Sequence, residues 1–429
     1  MSVTNITGTE IGPIVVNSAG DTYNIKKGAT LVIGGSSGGG EPIAAIIENI
    51  ENPAANHNNT YNIDGRVFGY QAGMYTVGAN DKILIGDTGE VTGSYGVVAA
   101  GKNSLVVNDG EILGNAEGYG IYGYHTSGTE IRNNGLVSGN AGIYYDGDKG
   151  LIVNGADGLI AAGMVGIYVA HSTAMPAVGT QGESEAAIGV KAQAPETKVI
   201  NHGTVLATTD GGAAFAVSDA VNINLINDGT LKGIVALGDG DSTFDNRGGV
   251  VKGSIVGGLG DDMLIVDNAK YKLFEDVSGG DDTVKSTVTY TLSANVEKLV
   301  LLGTADIDGT GTGGDETLRG NTGNNTLKGL AGADDLFGGK GNDRLFGGGD
   351  TDTFHFSTGD GNDKVMDFHA METDKIDVSD WTGIGNISQV KSHAHDQGAD
   401  VVIENGSDSL LIVGLHKADL VAGYFDFTA

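Results

Sequence analysis

Between Ile63 and Gly258 short apolar–polar–apolar runs alternate with glycine-bearing turns, and one phrase recurs: IDGRVFG, DTGEVTG, NDGEILG, NNGLVSG, ADGLIAAG, NHGTVLAT, NDGTLKG and a blurred NRGGVVKG. The central glycines, Gly65, Gly89, Gly110, Gly135, Gly158, Gly203, Gly229 and Gly248, are spaced 24, 21, 25, 23, 45, 26 and 19 residues apart. Two further extended runs lie between successive phrases, as in YGIYGY (119–124) and TEIRNN (129–134), so each repeat carries about three short strands. Helical periodicity is absent. Strands this short bury too little by themselves, but they can stack coil upon coil, each inward Val, Ile or Leu lying on the coil below. The pattern predicts an all-β chain with a right-handed parallel β-helix of roughly eight coils over residues 61–256, preceded by a cap and lead-in strands over 1–60. The 45-residue spacing marks an insertion, HSTAMPAVGTQGESE at 171–185, expected as a surface loop that interrupts one strand slot.

The Asn-x-Gly phrases read as corners, because Asn and Gly tolerate the backbone of a sharp turn. Asn108, Asn133, Asn154, Asn201, Asn227 and Asn246 then fall one strand spacing apart, where their amides can bond along the axis. His202 occupies the slot held by Asp109, Asn134 and Asp228 in other coils, so it reads as a corner residue rather than a catalytic histidine. Aligning YGIYGY, AGIYYD and VGIYVA turns Ile121, Ile143 and Ile167 inward and Tyr122, Tyr144 and Tyr168 outward. Three stacked tyrosines serve either as a packing ladder or as a flat aromatic strip for sugar rings.

Composition adds the partner. Asp and Glu number 55 against 24 Lys and Arg, a formal net charge of −31, which repels nucleic acid and anionic membrane surfaces and favours cations. There are 74 Gly but only 5 Pro, which argues for tight turns and against collagen. With Cys 0, a metal is the available staple for a chain working outside the cell. No stretch has the length and apolarity of a membrane helix, and the N-terminal residues lack the basic and apolar regions of a cleaved signal.

From Gly311 the pattern changes to five nonapeptides: GTGGDETLR, GNTGNNTLK, GLAGADDLF, GGKGNDRLF and GGGDTDTFH. Each pairs a glycine-rich turn with one inward apolar residue, Leu318, Leu327, Leu336, Leu345 or Phe354, and puts Glu316, Asn325, Asp334, Asp343 or Asp352 at position six. Two nonapeptides make one coil, so acids eighteen residues apart share a side, with Asp334 and Asp352 the best pair. Oxygen ligands of this charge suit Ca²⁺ rather than zinc or copper. Gly332, Gly339, Gly341 and Gly348 in the turns, together with Asp262, Asp350 and Asp363, complete the candidate metal residues.

These nonapeptides resemble the calcium-binding repeats of RTX (hemolysin-type) proteins. The resemblance implies a calcium-binding parallel β-roll at 311–366 behind a degenerate connecting region at 257–310, where GGLGDDMLIVDNA (257–269) and YTLSANVEKLVLLGTADIDGTG (290–311) look like lead-in segments. DGNDKVMDFHAMETDKIDVSDW (360–381) is similar to the cap of serralysin-type secretion domains, and residues 399–429 resemble a type I secretion signal, so 367–429 is expected as cap and signal. Glu316 and Asn325 depart from the usual Asp, which puts the first sites in doubt, and no HExxH zinc motif accompanies the likeness. The resemblance implies a secreted or cell-surface protein exported unfolded by a type I apparatus and folded outside by calcium.

Three readings of the cargo follow. The first is a non-enzymatic surface, matrix or adhesion-type protein that binds extracellular polysaccharide or a cell surface through Tyr122, Tyr144 and Tyr168. The second is a polysaccharide lyase or alginate-type epimerase, with Tyr122, Tyr124 and His125 the only candidate catalytic cluster. It is disfavoured by Arg66, Arg132 and Arg247 lying in separate corners. The third, a pore-forming toxin, lacks the long apolar or amphipathic helices it would need.

Overall fold

The computed structural model describes residues 2–32, 44–48, 58–170, 197–218 and 221–427, without the His125 side chain. The expected loop at 171–185 lies outside the described residues. The chain is nearly all-β and forms two compact units, Met1–Leu259 and Gly260–Ala429.

In the first unit a coil has three strand slots, the second and third running together as one strand at Leu136–Asp148 and Leu159–Ala170, and the pairings from coil to coil are parallel. Lys82–Ile85, Leu105–Asn108, Glu130–Asn133 and Leu151–Asn154 pair in unbroken register. Their alternate residues Ile83, Val106, Ile131 and Ile152 are fully buried, stacking branched side chains along the axis. The corner amides continue this order. Asn108 donates to Asn133 at 2.8 Å, Asn133 to Asn154 at 2.8 Å, Asn154 to Asn201 at 2.8 Å, Asn201 to Asn227 at 2.6 Å and Asn227 to Asn246 at 2.6 Å. All six are buried, so the ladder satisfies most of the amide groups that the turns take out of water, with Asn108 Oδ1 and Asn246 Nδ2 left over at its two ends. His202 sits on the outer side of the corner with Nδ1 2.6 Å from Asp228 Oδ1, as Asn134 bonds Asp109.

The stretch expected as a cap and lead-in already has this strand pattern. Val3–Ile6 pairs with Thr22–Ile25, and Thr22–Ile25 pairs with Thr60–Ile63, the two TYNI segments lying residue on residue with Tyr23 and Tyr61 stacked at 5.4 Å. Its turn is written KKGA rather than with Asn-Gly or Asp-Gly, so a reading keyed on the corner phrase passes over it.

In the second unit the nonapeptides build a parallel β-roll with two strand columns. Leu318, Leu336 and Phe354 are register partners on one side, and Leu327 and Leu345 on the other, all five fully buried. The C-terminal residues close the roll: Asp408–Ile412 pairs in parallel with Asn362–Val365 and antiparallel with Asp400–Asn405. A helix at Ile387–His393 is capped by the Asn386 side chain, which accepts from Gln389 N at 3.0 Å. Phe425 is buried opposite Ile376. No helix among the described residues is long and apolar enough to cross a membrane.

Candidate calcium centre and aromatic face

Position six of the nonapeptides is held by a ladder that uses one carboxylate oxygen per residue. The backbone N–H of Glu316 donates to Asp334 Oδ1 (2.8 Å) and that of Asp334 to Asp352 Oδ1 (3.0 Å). On the other side Asn325 N donates to Asp343 Oδ1 (2.7 Å) and Asp343 N to Asp363 Oδ1 (2.8 Å). The eighteen-residue coil therefore brings together the acids that the sequence pairs, and it places Asp363 in the same row.

The second oxygen separates the residues into two groups. Asp334, Asp343 and Asp352 are buried, and the Oδ2 of each has no hydrogen-bond partner. A carboxylate oxygen removed from water without a donor is costly unless a cation meets it. Glu316 and Asn325 instead spend their oxygens on the protein. Glu316 accepts from Thr312 N (3.1 Å), from the Thr312 hydroxyl and from Gly314 N (3.2 Å), while Asn325 Oδ1 accepts from Asn321 N (2.8 Å) and its amide donates to Ile307 O (2.6 Å). The two departures from Asp are thus the two positions already satisfied from within. Asp334 and Asp352 on one side, and Asp343 on the other, fit calcium ions and would hold them, the ions supplying the positive charge that the unpaired oxygens need.

Electrostatics agree with the geometry. Burial pushes the carboxyl of Asp334 up to about 8, those of Asp343 and Asp352 up to about 7, and that of Asp363 up to about 8, with neighbouring carboxylates adding to the rise. The turn residues make the approach possible. Gly332 (φ +102) and Gly341 (φ +133) have left-handed backbones, and a Cβ there would lie 1.9 Å from Gly314 O and 2.3 Å from Gly323 O. Gly339 and Gly348 are also at positive φ, as is the exposed Asp350, whose Oδ2 accepts weakly from Gly332 N at 3.3 Å.

Position one explains its own glycine. A Cβ on Gly329, Gly338 or Gly347 would meet the Oδ2 of Asp334, Asp343 or Asp352 at 2.0, 2.5 or 2.1 Å. Gly347→Ala is therefore expected to displace the Asp352 carboxylate and to raise the free calcium needed for folding by about tenfold, equivalent to about 1.4 kcal/mol. Gly349→Ala, where nothing lies within 4 Å of the new Cβ, should leave the titration unchanged. Calcium titrations followed by circular dichroism compare the two.

On the first unit the outward tyrosines form part of a longer column. Val15, Ile47, Tyr75, Val98, Tyr122, Tyr144, Tyr168, Ala216, Ala236 and Val256 are successive register partners, and every one is apolar or aromatic. Ile121, Ile143 and Ile167 face inward and are buried. The tyrosine rings are half-buried and canted rather than coplanar: Tyr122 and Tyr144 lie 5.2 Å apart at 83°, Tyr144 and Tyr168 4.9 Å apart at 43°. Edge-to-face contact suits the ring quadrupole better than a flat stack. Tyr95, Tyr119 and Tyr124 join the same patch, Tyr119 stacking on Tyr144 at 4.8 Å and Tyr124 meeting Tyr122 at 5.3 Å.

Burial, then neighbouring Tyr144 and the buried Asp146, push the Tyr122 hydroxyl up, so it stays neutral at physiological pH. The side chain of His125 lies outside the described residues. Arg66 pairs with Glu90 at 3.2 Å, Arg132 with Glu130 at 2.5 Å and Arg247 with Asp245 at 2.5 Å.

Comparison with known proteins places the repeat. Residues 310–345 and 331–365 match the family model of the RTX calcium-binding nonapeptide repeat (4 copies). No curated protein matches the chain. Among solved structures, the extracellular lipase LipA from Serratia marcescens is similar at 18% identity with a TM-score of 0.23, over 62% of this chain and 44% of the lipase, and nothing about this chain's activity follows from it. The segment 310–365 is an RTX repeat that binds calcium.

Proposed function

We propose that this chain, with an RTX calcium-binding repeat at 310–365, is an exported, calcium-folded binding protein whose first unit holds extracellular polysaccharide on its tyrosine face. RTX repeat proteins are typically secreted. Export by a type I apparatus accords with an acidic segment that offers little apolar burial until calcium arrives, since a narrow exporter needs an unfolded chain.

The observation that carries the ligand reading is the unbroken apolar column centred on Tyr122, Tyr144 and Tyr168. Apolar sheet surface of this length, studded with aromatic rings, offers sugar C–H faces what they stack on. The pairing of Arg66, Arg132 and Arg247 with carboxylates favours binding over lyase or epimerase chemistry, which needs a cation for the uronate group.

Replacing Tyr122, Tyr144 and Tyr168 together by Ala is expected to abolish retention on a panel of uronate and neutral polysaccharides. The mutual ring contacts add a stability loss on the order of 1 kcal/mol each. The triple variant should therefore melt lower yet keep its circular dichroism spectrum. Retention unchanged in the folded variant would end the polysaccharide reading, and an unsaturated product absorbing in the ultraviolet would replace it with a lyase.

A further inference from the structure

We propose that Asp262, Glu275 and Asp282 form an additional calcium site, outside the matched nonapeptides. Each offers one carboxylate oxygen, and the three oxygens lie within 4.8 Å of one another. Asp262 and Asp282 are buried and Glu275 is half-buried. Asp282 is positioned from both sides: its Oδ1 accepts from Asp262 N at 2.8 Å, and its own N–H donates to Glu297 Oε2 at 2.7 Å. Its Oδ2 is buried and has no hydrogen-bond partner.

Three carboxylates this close repel one another in a site poor in water, and a divalent cation removes that repulsion. The donors are all oxygen, with no His among them, which selects a hard ion over zinc or copper. Calcium accepts an irregular shell completed by carbonyls and water, whereas magnesium demands a near-ideal octahedron. The site departs from the nonapeptide arrangement. Asp262 and Asp282 are 20 residues apart rather than 18, and Glu275 comes from the turn after Leu273–Phe274, which is no part of a glycine-rich repeat. It gives residues 260–286 a metal anchor of their own.

The test uses the full chain, stripped with chelator and dialysed against calcium, with bound ion measured by elemental analysis. In Glu275→Gln one ion per chain should need about tenfold more free calcium to bind, the rest filling as in the parent protein. Asp282→Asn should lose that ion. Asp334→Asn should shift a nonapeptide ion instead, so failure of the nonapeptide sites and failure of this site give different curves. Circular dichroism at saturating calcium checks the fold. If Asp282→Asn does not fold, Glu275→Gln, on a half-buried side chain, decides alone. Parent-like filling of every ion in the folded Glu275→Gln chain overturns the proposal.

Discussion

Chelating calcium at pH 8 is expected to unfold Gly260–Ala429 and to leave Met1–Leu259 folded. The first unit rests on branched side chains and an Asn ladder that need no ion. The second rests on buried Asp residues, among which Asp282, Asp334, Asp343 and Asp352 each keep an oxygen without a donor. Binding to the folded form alone stabilises by mass action, about 2.7 kcal/mol per site at a hundredfold excess over the dissociation constant, so several sites together can exceed the stability of a small domain. Hydrogen exchange read by mass spectrometry separates the units. In chelator the amides of Glu316, Asp334 and Asp343 should lose protection, while strands such as Glu130–Asn133 keep theirs. Equal protection with and without calcium would refute the dependence.

The same prediction carries a pH dependence with a definite sign. Burial raises Asp334, Asp343, Asp352 and Asp363 to between about 7 and about 8, against roughly 3.9 for an unfolded Asp. A carboxyl raised by folding stabilises the folded form below its unfolded value, and that stability is lost as pH rises through the folded one. The metal-free roll should therefore be most stable near pH 4 and least stable above pH 8. Calcium reverses the trend, because it competes with protons for the same oxygens: its apparent affinity should rise from pH 6 to pH 8, with protons released on binding.

Much of this was legible in the sequence, for identifiable reasons. The nonapeptides are readable because a coil of eighteen residues is enforced by Leu318, Leu336 and Phe354 stacking at 0% exposure, so the period cannot drift. The Asn ladder is readable because one amide per coil must sit at the same corner. Tyr122, Tyr144 and Tyr168 align because a two-residue alternation fixes their side. The ring angles were not readable, since they depend on neighbours such as Tyr119 that come from another alignment column. Asp282 and Glu275 were hidden by irregular spacing, although GGLGDD and SGGDD carry a common Gly-Gly and Asp-Asp. Glu48 closes the apolar run AAIIE and is fully buried. Its partners lie between 11 and 30 residues away, a distance that no local pattern encodes.

Glu48→Ala is expected to be the most damaging single substitution in the first unit. Glu48 Oε1 accepts from the Tyr61 hydroxyl (2.5 Å) and the Asn59 amide (3.1 Å), and Oε2 from Val77 N (2.8 Å) and Gly78 N (2.6 Å). Removing it strands four donors, and each buried group left unsatisfied costs about 1–3 kcal/mol, so a loss of roughly 4 kcal/mol or more is expected even with relaxation. Asp81 shares the site: burial first, and Glu48 second, raise its carboxyl to about 8. By the linkage above, the melting temperature of Met1–Leu259 should fall as pH rises from about 4 to about 8 and then level off. Asp81→Asn imitates the protonated acid and should flatten this profile without loss at pH 7. Calorimetry of the three proteins across that range decides, and a Glu48→Ala protein melting with the parent would show that these four hydrogen bonds do not hold the coils together.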